Sequence, residues 1–399
     1  MSADLSKDAL GRLHEAMAYY VESRERPGIV TLVSRHGETH VDAIGTLAFD
    51  NTKPMRRDTI FRIASISKPI IAAVTLQMIE VGQLALDEPV DRLIPELANR
   101  RVLKRLDGPL DDTLPAKRPI LVSDLLTMRM GLGAIMAPGD YPIMAAMQAT
   151  GVFTPFRMPI ARNADAWIAR LAELPLMEHP GEAWRYDTSF TLLGALIERA
   201  AAKPLGQVLA ERLFEPLGMR DTGFAVPADK LDRLPLCYQH NRETGKLEVW
   251  DPSGPESFFA TVPGFPGAHG GLVSTVDDYF AFARMLLDKG RAGDRQLLSE
   301  RSVEAMMADQ VPDGVKARSP FVPGFWEQRG WGFGGSPIKR KLAGEPRGFG
   351  WDGGYGTSAY WDRETGVTVM MFSQRLVDSP VYPQLQHDFF DNSYAAAGV

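Results

Sequence analysis

The sequence predicts a mixed α/β (α+β) fold in which both chain ends supply strands and a mainly helical insert lies between them. Three observations point there. A hairpin pattern occupies residues 29–44, strand-like runs return only after about residue 330, and helical, irregular chain fills the stretch to about residue 215. The chain has 399 residues. A single packed core stops growing at roughly 250–300 residues, so two lobes are expected.

Taken in order, residues 7–23 place Leu10, Leu13, Ala16, Met17 and Tyr20 at helical spacing, which predicts an amphipathic helix. Pro27 and Gly28 end it. Ile29–Val33 and Val41–Ile44 flank the turn-like Arg35-His36-Gly37-Glu38, the pattern of a β-hairpin. Over residues 65–81, Ile70, Ile71, Val74 and Met78 share one face and Gly82 offers a stop, so a helix is expected. Pro69 is tolerable only in its first turn, which places Ser65 at or near the helix start. Ala164–Leu174 and Ser189–Ala202 read as further helices, and the Gly-, Pro- and Met-rich residues 131–160 as loops or a lid. Val276–Lys289 is expected to be helical, Thr357–Trp361 and Val367–Phe372 to be strands, and about 380–396 to be a final helix.

Composition narrows the function. The chain is 45% hydrophobic and 24% charged, with a formal net charge of -6. That balance offers no electrostatic footprint for nucleic acid. No run approaches the roughly 18–20 apolar residues that span a bilayer, so no membrane partner is expected. The segment Met1-Ser2-Ala3-Asp4-Leu5 lacks a basic region followed by an apolar stretch, and a cytoplasmic protein is expected. Cys237 is the single cysteine. It forms no internal disulfide and reads as a small buried apolar residue. No CxxC or HExxH pattern suggests a metal, and no cofactor is implied.

Ser65-Ile66-Ser67-Lys68 is an S-x-x-K pattern. Positions i and i+3 of a helix share a face, so the lysine amine can reach the serine hydroxyl. A serine hydroxyl is a poor nucleophile until a neighbouring base takes its proton. The helix N-terminus favours anionic charge developing nearby. Ser336-Pro337-Ile338-Lys339 repeats the pattern inside a Gly/Pro-rich segment with no apolar helix behind it, and reads as coincidence.

The surroundings of the first copy carry a resemblance. Phe61–Leu97 (FRIASISKPIIAAVTLQMIEVGQLALDEPVDRLIPEL) resembles the nucleophile region of the beta-lactamase and penicillin-binding-protein superfamily, for which S-x-x-K is a mark. Ile120–Leu132 resembles the next family element, with Met128-Arg129-Met130 where His-Thr-Ser is usual. Glu211–Phe224 (ERLFEPLGMRDTGF) and Gly270–Tyr279 (GGLVSTVDDY) continue the likeness in order. It implies a beta-lactamase/transpeptidase-like fold, an antiparallel sheet flanked by helices plus an inserted helical lobe. Residues 1–80 and 216–399 would form the α/β lobe and 81–215 the helical one, with the active site in the cleft between them.

The resemblance also implies site residues. Tyr186 in Trp184-Arg185-Tyr186-Asp187-Thr188 matches the tyrosine of the family's Y-x-N element, a general base or proton shuttle. A phenol titrates near 10, and Lys68 is the natural cation to hold its phenolate. Thr188 stands where asparagine would contact an acylamino side chain, which counts against amide-bearing β-lactams. Gly350-Trp351-Asp352-Gly353-Gly354 aligns with the strand carrying K-T-G or H-x-G, and its W-x-G resembles the family VIII carboxylesterases. Tryptophan offers an apolar face and one N–H in place of a full charge, so an uncharged ester should fit better than a carboxylate. Trp351, Asp352, Gly353 and Thr188 are thus expected to contact substrate. The N–H groups of Ser65 and Gly354 are expected to form the oxyanion hole.

The expected chemistry is acyl transfer through Ser65, activated by Lys68 and Tyr186, on a small-molecule ester with short acyl or aryl groups. A β-lactamase, D-amino-acid peptidase or acyltransferase using the same acyl-enzyme is the alternative. A non-catalytic binding homologue is the third. No G-x-S-x-G elbow is present. His269 reads as structural or as supporting the site from behind. Met128, Met130, Met136, Met144 and Met147, with Tyr141, Phe153 and Phe156, are candidates to line an apolar acyl pocket. Nothing in the sequence fixes the oligomeric state.

Overall fold

The computed structural model describes residues 5–154 and 161–399. Helix α1 (Lys7–Glu22) starts where the Ser6 hydroxyl accepts the Ala9 N–H at 3.3 Å, and it buries Ala9, Leu13, Met17 and Tyr20. An oxygen at this position satisfies one of the orphan donors of the first turn. The hairpin follows as β1 (Gly28–Arg35) and β2 (Glu38–Gly45). Three further strands close the sequence, β4 (Phe349–Gly353), β5 (Thr357–Asp362) and β6 (Val367–Ser373), with the short β3 (Ser336–Pro337) before them. They form one sheet in the order β3-β4-β5-β6-β1-β2, antiparallel throughout. The antiparallel sheet flanked by helices that the sequence predicts is therefore the observed fold.

Strand alternation sorts the core into two layers. Ile29, Val33, Tyr360, Val367, Val369 and Met371 pack with α1 and the final helix, Gln384–Ala397. Val30, Leu32, Ala359, Trp361, Met370 and Phe372 face the opposite cluster, which holds the helical middle of the chain. Both faces are covered, which is why β6 is buried at every residue and reads as a continuous apolar run.

Helices between the hairpin and the C-terminal strands include α2 (Ser67–Glu80), α3 (Pro142–Ala149), α4 (Ala164–Glu173), α5 (Thr188–Ala201) and α6 (Val276–Leu287). The final helix, Gln384–Ala397, is α7. As expected, Pro69 occupies the first turn of α2 and Ser65 lies at the helix start, in a tight 3-10 turn, Ala64–Ile66, that leads into it. One departure from the sequence reading stands out. Within 131–160, expected to be loop or lid, α3 forms with Pro142 at its first position and Ile143 and Met147 buried. Proline suits that position because its missing N–H would have no partner anyway.

Candidate active site

The turn carrying Ser65 is pinned from several sides. The Thr357 hydroxyl donates to the Ile63 carbonyl at 2.9 Å, and the Tyr279 hydroxyl to the Ile66 carbonyl at 2.8 Å. Ala64, just before the serine, has φ +48°, a costly region for a residue with a Cβ. Strain of this kind persists where surrounding structure over-determines it. Here the over-determination is visible: a Cβ on Gly353 would lie 2.3 Å from the Ile63 carbonyl oxygen. Strand β4 thus runs against the nucleophile turn, and only glycine permits the approach. Ser65 itself stays partly exposed.

Lys68 is fully buried and its ammonium has three acceptors. It donates to Ser65 Oγ at 2.9 Å, to Asp187 Oδ1 at 2.8 Å and to the His269 carbonyl at 2.5 Å. Its Nζ also lies 4.7 Å from the centre of the Tyr186 ring. The Tyr186 phenol accepts the Trp351 Nε1–H at 2.6 Å and interacts with the Ser65 and Lys68 side chains. Serine, lysine and tyrosine therefore converge, although Trp351 and Tyr186 are 165 residues apart in sequence.

The charges follow from these contacts. Burial draws the Lys68 amine down, but Asp187 and Tyr186 outweigh it and its pKa is raised. Burial pushes Asp187 up, and Lys68 and His269 more than offset that, so its carboxyl is held below the ordinary value. Burial raises the Tyr186 phenol against the pull of Lys68. Burial lowers His269 below its usual value. The resting site is thus ammonium, carboxylate, neutral phenol and neutral imidazole.

The remaining expected residues divide. Trp351 sits beside Tyr186 in an aromatic wall, 4.8 Å from Trp331 and 6.0 Å from Phe325 between ring centres. Gly354 accepts the Val377 N–H at 3.0 Å, and its own N–H has no backbone acceptor among the described residues. Asp352 requires a correction. Alternation along β4 turns it to the opposite face of the sheet, where it accepts from Ser358, Tyr360 and Tyr382 hydroxyls at 2.7, 2.7 and 2.6 Å. It braces the strand and does not face Ser65. Thr188 also departs from expectation. It is 1% exposed in the first turn of α5, and its Oγ1 has no hydrogen-bond partner among the described residues. The middle residue of the motif, Asp187, takes the place beside Lys68 because its φ of +85° turns it inward.

Asp187 is the contributor that motif reading passes over, whereas His269, expected to be structural or to support the site from behind, lies 4.0 Å from the Asp187 carboxylate. The signal for Asp187 was a carboxylate beside the motif tyrosine, since a buried lysine needs a counter-charge. Of the pocket candidates, Met128, Met130 and Met147 are buried core residues, Met136 is exposed, and Met144, Tyr141 and Phe153 pack half-buried against the core. Phe156 lies outside the described residues. The second S-x-x-K copy is not a site: Ser336 Oγ donates to the Gly330 carbonyl at 3.0 Å, whereas Lys339 pairs with Asp309 at 2.7 Å. Cys237 is buried, with its thiol pushed up to about 12 by burial. Among the described residues no cluster suited to a metal ion occurs, and no helix is long and apolar enough to cross a membrane.

Known proteins share this architecture. The family model described as Beta-lactamase matches residues 13–386. Protein Rv1367c of Mycobacterium tuberculosis is 38% identical over 352 residues, covering 86% of this chain and 84% of its own. Esterase EstB of Burkholderia gladioli is 30% identical over 381 residues, covering 91% of this chain and 89% of its own. Among solved structures, EstCE1, described as a hydrolase with promiscuous acyltransferase activity, superposes with a TM-score of 0.80 at 25% identity, covering 97% of this chain and 99% of its own. The chain belongs to the beta-lactamase family of serine hydrolases.

Proposed function

We propose that this protein is a carboxylesterase that forms an acyl-enzyme on Ser65 and acts on short-chain or aryl esters. The observation that carries the reading is the convergence of Ser65 Oγ, Lys68 Nζ at 2.9 Å and the Tyr186 phenol, with an uncharged indole at position 351. Ser65 Oγ attacks the ester carbonyl, and its proton passes to the Lys68–Tyr186 couple. The N–H groups of Ser65 and Gly354 receive the oxyanion, where preorganised donors contribute most to such reactions. The couple returns the proton to the departing alcohol, and water then releases the acid by the same steps in reverse.

The likeness to EstB, named an esterase, supports this choice of substrate. So does Trp351, which offers no charge to the carboxylate of a β-lactam. The proposal includes the lobe division, with 81–215 inserted into 1–80 and 216–399 and substrate entering between them. It is supported by the sheet, whose strands all fall within 28–45 and 336–373.

Two chromogenic assays test the reading. Turnover of p-nitrophenyl butyrate without turnover of nitrocefin is expected, and Ser65→Ala should abolish it while leaving the fold intact. Nitrocefin turnover alone, or ester turnover surviving Ser65→Ala, would reject the assignment. Acyl transfer to an alcohol is a second reading, favoured by the description of EstCE1. Adding a primary alcohol to the ester assay and quantifying the transesterified product separates the two.

A further inference from the structure

The Y-x-N element of this chain reads Tyr186-Asp187-Thr188, and its middle residue forms an ion pair with a buried lysine. Lys68 has no exposed surface, whereas Asp187 keeps 17% of its side chain exposed. The carboxylate is held by geometry. Its backbone sits at φ +85°, ψ -62°, a strained three-residue turn in which the Thr188 N–H donates to the Tyr186 carbonyl at 3.3 Å. Oδ1 accepts an N–H of the Lys68 ammonium at 2.8 Å, and Oδ2 lies 4.0 Å from His269 Nε2. Thr191 Oγ1 holds the other ring nitrogen of His269 at 3.0 Å. The titratable groups facing Asp187 are thus Lys68, His269, Tyr186 and Tyr355. With His269, Tyr186 and Tyr355 neutral, one positive and one negative charge remain.

We propose that Asp187 is a positioning residue that keeps the Lys68–Tyr186 couple loaded with a proton, so that acylation of Ser65 waits on a deprotonation above neutral pH. The proposal rests on the esterase reading of Ser65. An ammonium beside a neutral phenol has no vacancy for the serine proton. The couple gains one only by giving a proton to solvent, and the electron pair left behind stands next to the carboxylate. An opposite charge at this distance favours the protonated form by about one to three pH units. The ionisation belongs to the couple and not to either residue alone. Asp187 raises both Lys68 and Tyr186, so removing its charge moves the acid limb of activity down.

Asp187→Asn isolates that charge. Asparagine keeps the size and still offers an oxygen that accepts from Lys68. The experiment records kcat/KM for p-nitrophenyl butyrate against pH in wild type and Asp187→Asn, with Ser65→Ala as the background. The same pH series is run for the rate at which a fluorophosphonate labels Ser65. The expected wild-type profile rises through an ionisation above neutral. In Asp187→Asn that limb should fall by about one to three pH units in both assays, making the variant faster than wild type at the acidic end. A limb that stays in place or rises overturns the proposal, because a bracing side chain would change rates without moving the ionisation. Should the variant fail to fold by circular dichroism, the wild-type profile decides: activity independent of pH through neutrality overturns the proposal. A wild type that neither turns over the ester nor takes the label overturns the esterase reading, and this proposal with it.

Discussion

Tyr186 joins two halves of the site through one oxygen. Its phenol accepts the Trp351 indole N–H at 2.6 Å while facing Ser65 and Lys68. Tyr186→Phe should lower kcat by at least about a hundredfold, the range of a lost acid–base group. It also strands the Trp351 N–H, an unsatisfied donor that costs about 1–3 kcal/mol. Calorimetry should therefore register a lower Tm in a protein that still folds. Trp351→Phe probes the same bond from the other side. Phenylalanine keeps contact with Trp331 and Phe325 but donates nothing to the phenol. One neutral hydrogen bond is worth about 0.5–1.5 kcal/mol, so kcat should fall about two- to thirteenfold. A variant as fast as wild type would show that the indole N–H does not orient Tyr186.

At the scale of elements, the distance between strand β4 and the nucleophile turn is set by one missing methyl group. A Cβ at residue 353 would meet Thr357 Oγ1 at 2.1 Å and the Ile63 carbonyl at 2.3 Å. Rotating Thr357 would relieve the first contact but not the backbone one, so Gly353→Ala must push β4 from the turn. A misplacement on that scale costs about a hundredfold in rate. Ester turnover is expected to fall accordingly, with the Ser65 labelling rate falling alongside it, whereas an unchanged labelling rate would refute the account. The sequence made these strands visible through their alternation and apolar runs. It does not reveal which face of β4 meets the substrate, so the pattern alone places Asp352 in the site, whereas it braces the far side. Alternation gives a period, and only tertiary packing gives the phase. Helix α3 was hidden for a different reason: its Pro, Met and Gly neighbours carry loop signals, and burial of Ile143 and Met147 overrides them.

Across the whole molecule, the site exists because distant segments meet. Lys68 reaches Asp187 across 119 residues and the His269 carbonyl across 201. Spacing along the chain cannot predict such contacts; the S-x-x-K pair is local and therefore legible, and Tyr186 became legible only through resemblance. The same long-range logic governs stability, since β1 lies between β2 and β6 and binds the N-terminal hairpin to the C-terminal strands. Helix α7 covers that junction. Leu385, Phe389, Phe390 and Tyr394 pack against Leu13, Met17, Ile29 and Val33, and Arg35 donates to the Ala397 carbonyl at 2.5 Å. Burying each of those four large side chains contributes about 1.5–3 kcal/mol, roughly 6–12 kcal/mol together, against a total of about 5–15 kcal/mol for a typical protein. Removing residues 384–399 should therefore unfold the chain, although the cut lies outside every group assigned to the chemistry. Far-UV circular dichroism with size-exclusion chromatography reads this directly. A truncated protein that stays monomeric and melts cooperatively near the wild-type Tm would show that the sheet holds both chain ends without its covering helix.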